Sequence, residues 1–109
     1  MAIIFVIFYF YKSTPQVISQ FDDFAKCLAE KNITMYGADW CSHCQNEKRA
    51  FGSSFQFVPY VECPDDPQKC LEKNITGYPT WIFSDDKKFV GEQGLEKLSQ
   101  ESGCSILSK

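Results

Sequence analysis

The feature that most constrains this chain is a pair of cysteines, Cys41 and Cys44, placed between a predicted strand and a predicted helix. Residues 33–37 form a short apolar run that is typical of a strand, and residues 45–51 are typical of a helix. Cys41 is therefore expected at a helix N-terminus, where unpaired backbone N–H groups and the helix dipole stabilise a thiolate. Cys44 follows one helical turn later, so the two sulfurs can close a disulfide.

This arrangement predicts thiol–disulfide exchange. A thiolate at Cys41 would attack the disulfide of a partner protein, and Cys44 would then resolve the mixed disulfide. His43 lies between the two cysteines, and a protonated imidazole there would favour the thiolate and make the pair more oxidising.

A CxxC pair has two other common uses. It can be half of a zinc site, with His43, Cys63 and Cys70 as further ligands, or it can be a purely structural disulfide. Cys63 and Cys70 are separated by six residues, which is longer than the usual spacing within a zinc ligand pair. Redox chemistry is therefore favoured, and neither a metal nor another cofactor is expected.

The composition limits the remaining function classes. A chain of 109 residues has room for one compact domain, expected to be a monomer, and 44% hydrophobic residues can supply its core. A formal charge of -3 offers no basic surface for nucleic acid. Six cysteines in so short a chain are typical of an oxidising compartment, which indicates a periplasmic, cell-surface or lumenal location.

The N-terminal residues 2–11 form an uncharged apolar run. As a helix it would span only about 15 Å, roughly half of the hydrocarbon core of a bilayer. We expect residues 1–12 to be a signal-like or anchor-like segment, or the remnant of a longer span, because the run does not alternate as a half-exposed strand does. A buried first strand is the alternative. Residues 13–16 read as a linker, and residues 17–109 as the folded domain.

The rest of the chain alternates between helical and strand-like patterns. Residues 55–61 would complete a strand–helix–strand unit with two parallel strands, and an antiparallel hairpin would follow the proline at position 79. The other predicted elements are an amphipathic helix at 17–31, a short helix at 68–73, strands at 81–83 and 88–90 joined by a turn at 84–87, and a last helix at 95–102.

The four cysteines outside the CxxC pair allow three pairings. A local disulfide between Cys63 and Cys70 is preferred, because two prolines stiffen the short segment between them; a second redox pair is the alternative. Cys27 is either a small buried hydrophobic residue or the partner of Cys104.

Three separated motifs, MYGADWCSHCQ, VPYVEC and GYPTW, together with the order of the elements, resemble the thioredoxin superfamily. Within it they are most similar to the thioredoxin-like domain of bacterial and plant vitamin K epoxide reductase homologues. The resemblance covers residues 17–104. It implies an α/β fold with a central mixed sheet flanked by helices, containing a βαβ unit, a β-hairpin, a C-terminal helix and an extra N-terminal helix.

The resemblance also implies roles for particular residues. Cys41 would be the nucleophile, Cys44 the resolving thiol, and Pro79 a cis-proline that faces the dithiol, with Tyr78 and Thr80 beside it at the substrate. Trp40 would pack beside the disulfide. Substrates would be cysteine-containing proteins, and the electron partner would be a separate, membrane-embedded quinone-linked disulfide reductase or oxidase, with residues 2–11 as a possible tether.

The chain departs from ordinary thioredoxins at Met35, where those proteins carry a buried Asp six residues before the first cysteine. Proton transfer from Cys44 would then rely on His43, Asp39 or water. This departure, together with the Ser-His dipeptide inside the motif, favours an oxidant or isomerase over a dedicated reductase. The competing interpretation is a non-catalytic thioredoxin-fold module that binds peptides and uses the CxxC pair only as a staple.

Overall fold

The computed structural model describes residues 20–107. The apolar run at 2–11, the linker at 13–16 and the first residues of the helix predicted at 17–31 lie outside this part of the chain. In order, the described elements are α1 (Asp22–Glu30), β1 (Thr34–Gly37), α2 (Ser42–Phe51), a 3₁₀ helix (Gly52–Phe57), β2 (Tyr60–Glu62), α3 (Pro67–Glu72), β3 (Thr80–Ile82), β4 (Lys88–Val90) and α4 (Leu95–Ser102).

The strands form one mixed sheet in the order β2-β1-β3-β4. β1 runs parallel to β2, with Met35 opposite Tyr60, whereas β3 is antiparallel to both β1 and β4. The β1–α2–β2 unit and the β3–β4 hairpin are therefore both present. The predicted thioredoxin-like architecture, a central mixed sheet flanked by helices, is confirmed.

The main core lies on the face of the sheet that α1 and α2 cover. The apolar stripe of α1 buries Phe24 and Leu28, and Phe24 stacks on Phe51 of α2 with ring centroids 5.7 Å apart. Trp81 of β3 is fully buried against Phe51. Burying such aromatic side chains removes 150–250 Å² each from water, about the largest contribution a single residue makes to a core. This core fixes α2, and with it the CxxC pair, against the sheet.

The strand predicted at residues 55–61 is largely wrong, because β2 contains only Tyr60–Glu62 and the preceding residues form the 3₁₀ helix. The aromatic run that favours a strand is used for packing instead: Phe55 makes edge contacts with the rings of Phe51 and Tyr60. Gly52 ends α2 with a φ of 62°, a conformation that glycine adopts without strain.

Two disulfides tie the domain together. One joins Cys27 on α1 to Cys104, just after α4, across 77 positions of the chain. The other joins Cys63 to Cys70 and closes the turn that leads from β2 into α3. Within residues 20–107, no helix is both long enough and apolar enough to cross a membrane.

Candidate active site

The structure places the CxxC pair at the junction between β1 and α2. Cys41 is the N-cap residue of α2, and its sulfur accepts a hydrogen bond from the backbone N–H of Cys44 at 3.3 Å. Both cysteines are unpaired, but their environments differ: Cys41 is 9% exposed and Cys44 is fully buried. Only Cys41 can therefore be reached from solvent, and its sulfur lies where a backbone N–H supports negative charge.

A second segment approaches Cys41 from the loop before β3. The Cys41 thiol donates a hydrogen bond to the carbonyl of Tyr78 at 3.6 Å, and the Tyr78–Pro79 peptide bond is cis. Pro79 itself is buried, and its carbonyl accepts the N–H of Gly91 at 2.7 Å. Thr80 is also buried, and its hydroxyl donates to the Gly77 carbonyl at 2.7 Å.

The exposed aromatic surface beside the dithiol comes from Trp40 and Tyr78. Trp40 is 70% exposed, and its ring meets the half-buried Tyr78 ring edge-on with centroids 5.8 Å apart. Trp40 therefore packs against the loop that precedes β3, and it presents most of its area to solvent.

His43 faces away from the protein interior. Its Nδ1 lies 3.0 Å from a carboxylate oxygen of Glu92, and both side chains are substantially exposed. The hydrogen bond from His43, with a second one from Asn46, lowers the pKa of the Glu92 carboxyl below its ordinary value. The carboxylate is therefore charged near neutral pH and available to a protonated imidazole at the edge of the site.

Asp39 is exposed, and both its backbone and its side chain make contacts with neighbouring elements. Its N–H donates to a carboxylate oxygen of Glu62 at 2.8 Å, and its own carboxylate lies 3.8 Å from the ammonium of Lys48. The loop before Cys41 is thereby attached to β2 and to α2.

The surroundings of Cys44 set the second thiol apart from the first. Burial, with a further contribution from the hydrogen bond to Cys41, raises the pKa of the Cys44 thiol to about 12. Gly37 leaves room for this sulfur: a Cβ added at position 37 would lie only 2.8 Å from Cys44 Sγ. Cys44 is thus a neutral thiol at physiological pH that must lose its proton before it can react.

Sequence reasoning missed two polar groups near the site. Glu47 is fully buried on α2, and its carboxylate accepts hydrogen bonds from the indole N–H of Trp81 and the backbone N–H groups of Gln93 and Gly94, all at 2.8–2.9 Å. A charged residue three positions after Cys44, on the helix face directed at the core, was a signal that could have been noticed. The other missed group, Tyr60 and Glu62, lies on β2.

The structure gives no support to a zinc site that uses the second cysteine pair, because Cys63 and Cys70 are bonded to each other. Among residues 20–107, no group of three or more histidine, cysteine or carboxylate side chains is arranged to hold a metal ion.

Comparison with known proteins gives a consistent picture. The chain is 39% identical over 103 residues to "Thiol-disulfide oxidoreductase LTO1" of Arabidopsis thaliana, which covers 86% of this chain and 26% of that protein. It is 30% identical over 91 residues to "Protein disulfide isomerase-like 2-2" of rice, Oryza sativa subsp. japonica, covering 68% of this chain and 24% of that protein. The chain thus spans about a quarter of the length of these relatives. No protein-family model matches the chain.

Among solved structures, Fasciola hepatica thioredoxin superposes with a TM-score of 0.52 at 20% identity, covering 73% of this chain and 88% of that chain. At this identity the similarity concerns the fold. This neighbour shows the thioredoxin-like fold, and the curated relatives support the thioredoxin superfamily.

Proposed function

We propose that this chain is a thiol–disulfide oxidoreductase that exchanges disulfides with cysteine-containing proteins through Cys41 and Cys44. The observation that carries the proposal is the asymmetry of the two free thiols: Cys41 caps a helix and reaches the surface, whereas Cys44 is buried beneath it. The names of both curated relatives, a thiol–disulfide oxidoreductase and a protein disulfide isomerase-like protein, support the same class of chemistry.

The reaction follows from these positions. The Cys41 thiolate attacks one sulfur of a substrate disulfide, which forms a Cys41–substrate disulfide and releases the other substrate sulfur as a thiolate that takes up a proton. Cys44 then loses its proton and attacks the Cys41 sulfur. This second step closes the Cys41–Cys44 disulfide and releases the second substrate thiol; oxidation of a substrate runs through the same steps in reverse.

The surface around Cys41 suits an extended peptide with apolar side chains near its cysteine. Besides Trp40 and Tyr78, a shallow pocket of about 280 Å³ lies next to Tyr78. Its apolar wall includes Leu71, which is 71% exposed, and Ile75. Apolar pockets with a few polar groups at one end are the usual form of a binding site.

Two variants test the assignment of the nucleophile and the resolving thiol. Cys41→Ser should abolish both the reduction of insulin disulfides and the oxidation of a reduced protein, and retained activity would remove the basis for the proposal. Cys44→Ser should instead accumulate mixed disulfides with substrates, because the resolving thiol is absent. Failure to trap any partner would contradict its role.

A double variant, Cys63→Ala with Cys70→Ala, is the matched control. If the Cys63–Cys70 disulfide serves only the structure, the active dithiol in this variant keeps its exchange rate while the folded state becomes less stable. Loss of exchange with the fold intact would instead indicate a second redox relay.

The direction of exchange is proposed to be oxidation or isomerisation. Met35 and the Ser-His dipeptide within the motif favour this direction over reduction. Titration against glutathione, read by alkylating the free thiols and measuring peptide masses, should give a Cys41–Cys44 potential above about -230 mV. A value at or below about -270 mV would make the protein a reductant, and the absence of a reversible couple would favour the peptide-binding module.

The setting is proposed to be outside the cytosol, in a periplasmic, cell-surface or lumenal compartment, with residues 2–11 as an export signal or membrane tether. Two disulfides within one small domain support an oxidising compartment. The motif resemblance to vitamin K epoxide reductase homologues suggests a membrane-embedded quinone-linked enzyme as the electron partner. A Cys44→Ser variant expressed with its N-terminal run should trap such a partner from membranes, and exclusive capture of soluble proteins would argue against it.

A further inference from the structure

β2 carries a polar pair, Tyr60 and Glu62, on the sheet face that also receives Cys44. Tyr60 lies opposite Met35 and Glu62 opposite Gly37 in the parallel register between β1 and β2. The ring of Tyr60 packs against the main core, to which Cys44 also belongs. Because alternate residues of a strand face the same side, Tyr60 and Glu62 share one face of the sheet. Glu62 lies beside Gly37, at the end of β1 where the CxxC loop begins.

The two side chains are joined by a hydrogen bond. The Tyr60 hydroxyl donates to one carboxylate oxygen of Glu62, and the other oxygen accepts the backbone N–H of Asp39 at 2.8 Å. The ammonium of Lys48 lies 4.2 Å from the centroid of the Tyr60 ring. The hydroxyl of a partly buried tyrosine that packs against the core is thus connected to a carboxylate that also binds the exposed loop.

Gly37 makes the space between this pair and the buried thiol. A Cβ at position 37 would lie 2.8 Å from Cys44 Sγ and 3.4 Å from the Tyr60 hydroxyl oxygen. The Cys44 thiol and the Tyr60 hydroxyl therefore border the same small space beside Gly37. This space exists because glycine has no side chain. β1 offers Cys44 no carboxylate, because its four residues are Thr34, Met35, Tyr36 and Gly37.

We infer that Tyr60 and Glu62 form the proton relay of Cys44, with Glu62 as the acceptor and the Tyr60 hydroxyl as the carrier. This inference rests on the proposed exchange reaction and assigns residues to its second step. As Cys44 attacks the Cys41 sulfur of a mixed disulfide, its proton passes to the Tyr60 oxygen while the Tyr60 proton passes to Glu62. The step forms the Cys41–Cys44 bond, breaks the Cys41–substrate bond, and leaves Glu62 protonated and the substrate sulfur as a thiolate.

The electrostatics agree with this order of events. Burial would raise the pKa of Glu62, but hydrogen bonds from Tyr60 and from Asp39 lower it, so the carboxylate is charged and ready to accept. Burial, and then the hydrogen bond to Glu62, raises the pKa of Tyr60, so the hydroxyl keeps a proton to pass on. The titratable groups that interact with Cys44 are Cys41 at the start of α2, Lys48 on α2 and Tyr60 on β2, and Glu62 and Asp39 lie next to Tyr60.

The test follows the two half-reactions separately. Reduced protein is mixed rapidly with dithiobis(nitrobenzoate), and the release of coloured thionitrobenzoate is recorded over a range of pH. The first equivalent reports the attack of Cys41 on the reagent, and the second reports the attack of Cys44 on the mixed disulfide. The variants are Tyr60→Phe, which removes only the hydroxyl, and Glu62→Gln, which keeps an oxygen that can accept the Asp39 N–H.

Tyr36→Phe and Glu72→Gln are the matched controls. Tyr36 lies on β1 with its side chain in the cluster on the opposite face of the sheet, and Glu72 is exposed on α3. Both should behave as the unmodified protein does in both phases.

Near neutral pH, each relay variant should slow the second phase on the order of 10²-fold, the lower end of the range for a positioned proton acceptor. The first phase should be unchanged, and the second phase should approach that of the unmodified protein at high pH, where hydroxide removes the Cys44 proton directly.

Two outcomes would overturn the inference. An unchanged second phase in both variants would show that neither residue handles the proton, and a slowing that is equal at all pH values would show that they only position Cys44. Loss of the first phase in the unmodified protein would instead refute the proposed function itself, so the two failures are distinguishable.

Discussion

The Cys27–Cys104 disulfide should contribute more to stability than any other cross-link in this domain. It connects the first described helix to the segment after the last one, with 77 positions between the two cysteines, whereas Cys63 and Cys70 are only 7 apart. A cross-link restricts the unfolded chain, and the restriction grows with the logarithm of the loop that it closes.

These separations give the expected magnitudes. The loop-entropy relation predicts about 4.5 kcal/mol for the Cys27–Cys104 loop and about 2.4 kcal/mol for the Cys63–Cys70 loop at 25 °C. The difference of about 2.1 kcal/mol is the more reliable quantity, because the constant part of the relation and the loss of two sulfur atoms are common to both. Small domains have a total free energy of unfolding of roughly 5–15 kcal/mol, so loss of the longer cross-link alone should leave the fold marginal.

The measurement is the free energy of unfolding in urea for two double variants, Cys27→Ala with Cys104→Ala and Cys63→Ala with Cys70→Ala. Both are made in a background in which Cys41 and Cys44 are alanine, so that no free thiol can reshuffle the remaining disulfide. The parent with both disulfides is the reference, and the slope against urea is fitted for each variant separately, because a less restricted unfolded chain exposes more surface.

The reasoning would be refuted if the two double variants lost equal stability, or if removal of the Cys63–Cys70 bond cost more. Either result would mean that local packing around α3, and not the restriction of the unfolded chain, decides what the disulfides contribute.

Three further predictions concern the site. Gly37→Ala should destabilise the fold by about 1–3 kcal/mol and slow the attack of Cys44, because the new methyl group would lie 2.8 Å from the Cys44 sulfur. Unchanged exchange kinetics would contradict this close packing of Gly37 against Cys44. Glu47→Gln should lower the free energy of unfolding by about 3 kcal/mol, because an amide cannot accept hydrogen bonds from all three donors. The control Glu72→Gln, at an exposed position, should change it by less than about 0.5 kcal/mol. Equal effects of the two substitutions would contradict the prediction. In the reduced protein, the Cys44 thiol has a pKa near 9 in the unfolded state and about 12 in the folded state. The free energy of unfolding should therefore fall between pH 9 and pH 12 by up to about 1.4 kcal/mol per pH unit, relative to Cys44→Ala. Parallel pH profiles of the two proteins would refute the raised pKa.

Local patterns in the sequence were sufficient for much of the fold. The β4 strand and the α4 helix lie at the predicted positions 88–90 and 95–102, because short strands beside a turn and amphipathic helices are specified by nearby residues. α2 begins three residues before the helical pattern does, since the Cys41 sulfur caps its first turn. A pattern of apolar residues does not show such a capping contact, so the pattern predicts the helix to begin too late.

The main error concerns the strand predicted at residues 55–61, where packing between side chains decided the backbone path. The run at 55–61 has the composition of a strand, but the Phe55 ring is held between Phe51 and Tyr60, and the chain takes a 3₁₀ path to bring it there. The composition of the run does not show that these rings will meet each other, although they are close in the sequence.

The origin of the Cys44 proton acceptor shows the same limit most clearly. In the sequence, Met35 offers no carboxylate that could accept the proton of a buried thiol. Only His43 and Asp39, close to the motif, suggest themselves as acceptors. The structure shows both of these side chains exposed at the surface, with His43 turned to a carboxylate outside the core. The parallel register instead brings Tyr60 beside Met35, 25 positions further along the chain. A polar function lost from one strand can therefore be supplied by its neighbour, and only the pairing of the strands reveals it, because side chains at matching register positions share one face of the sheet.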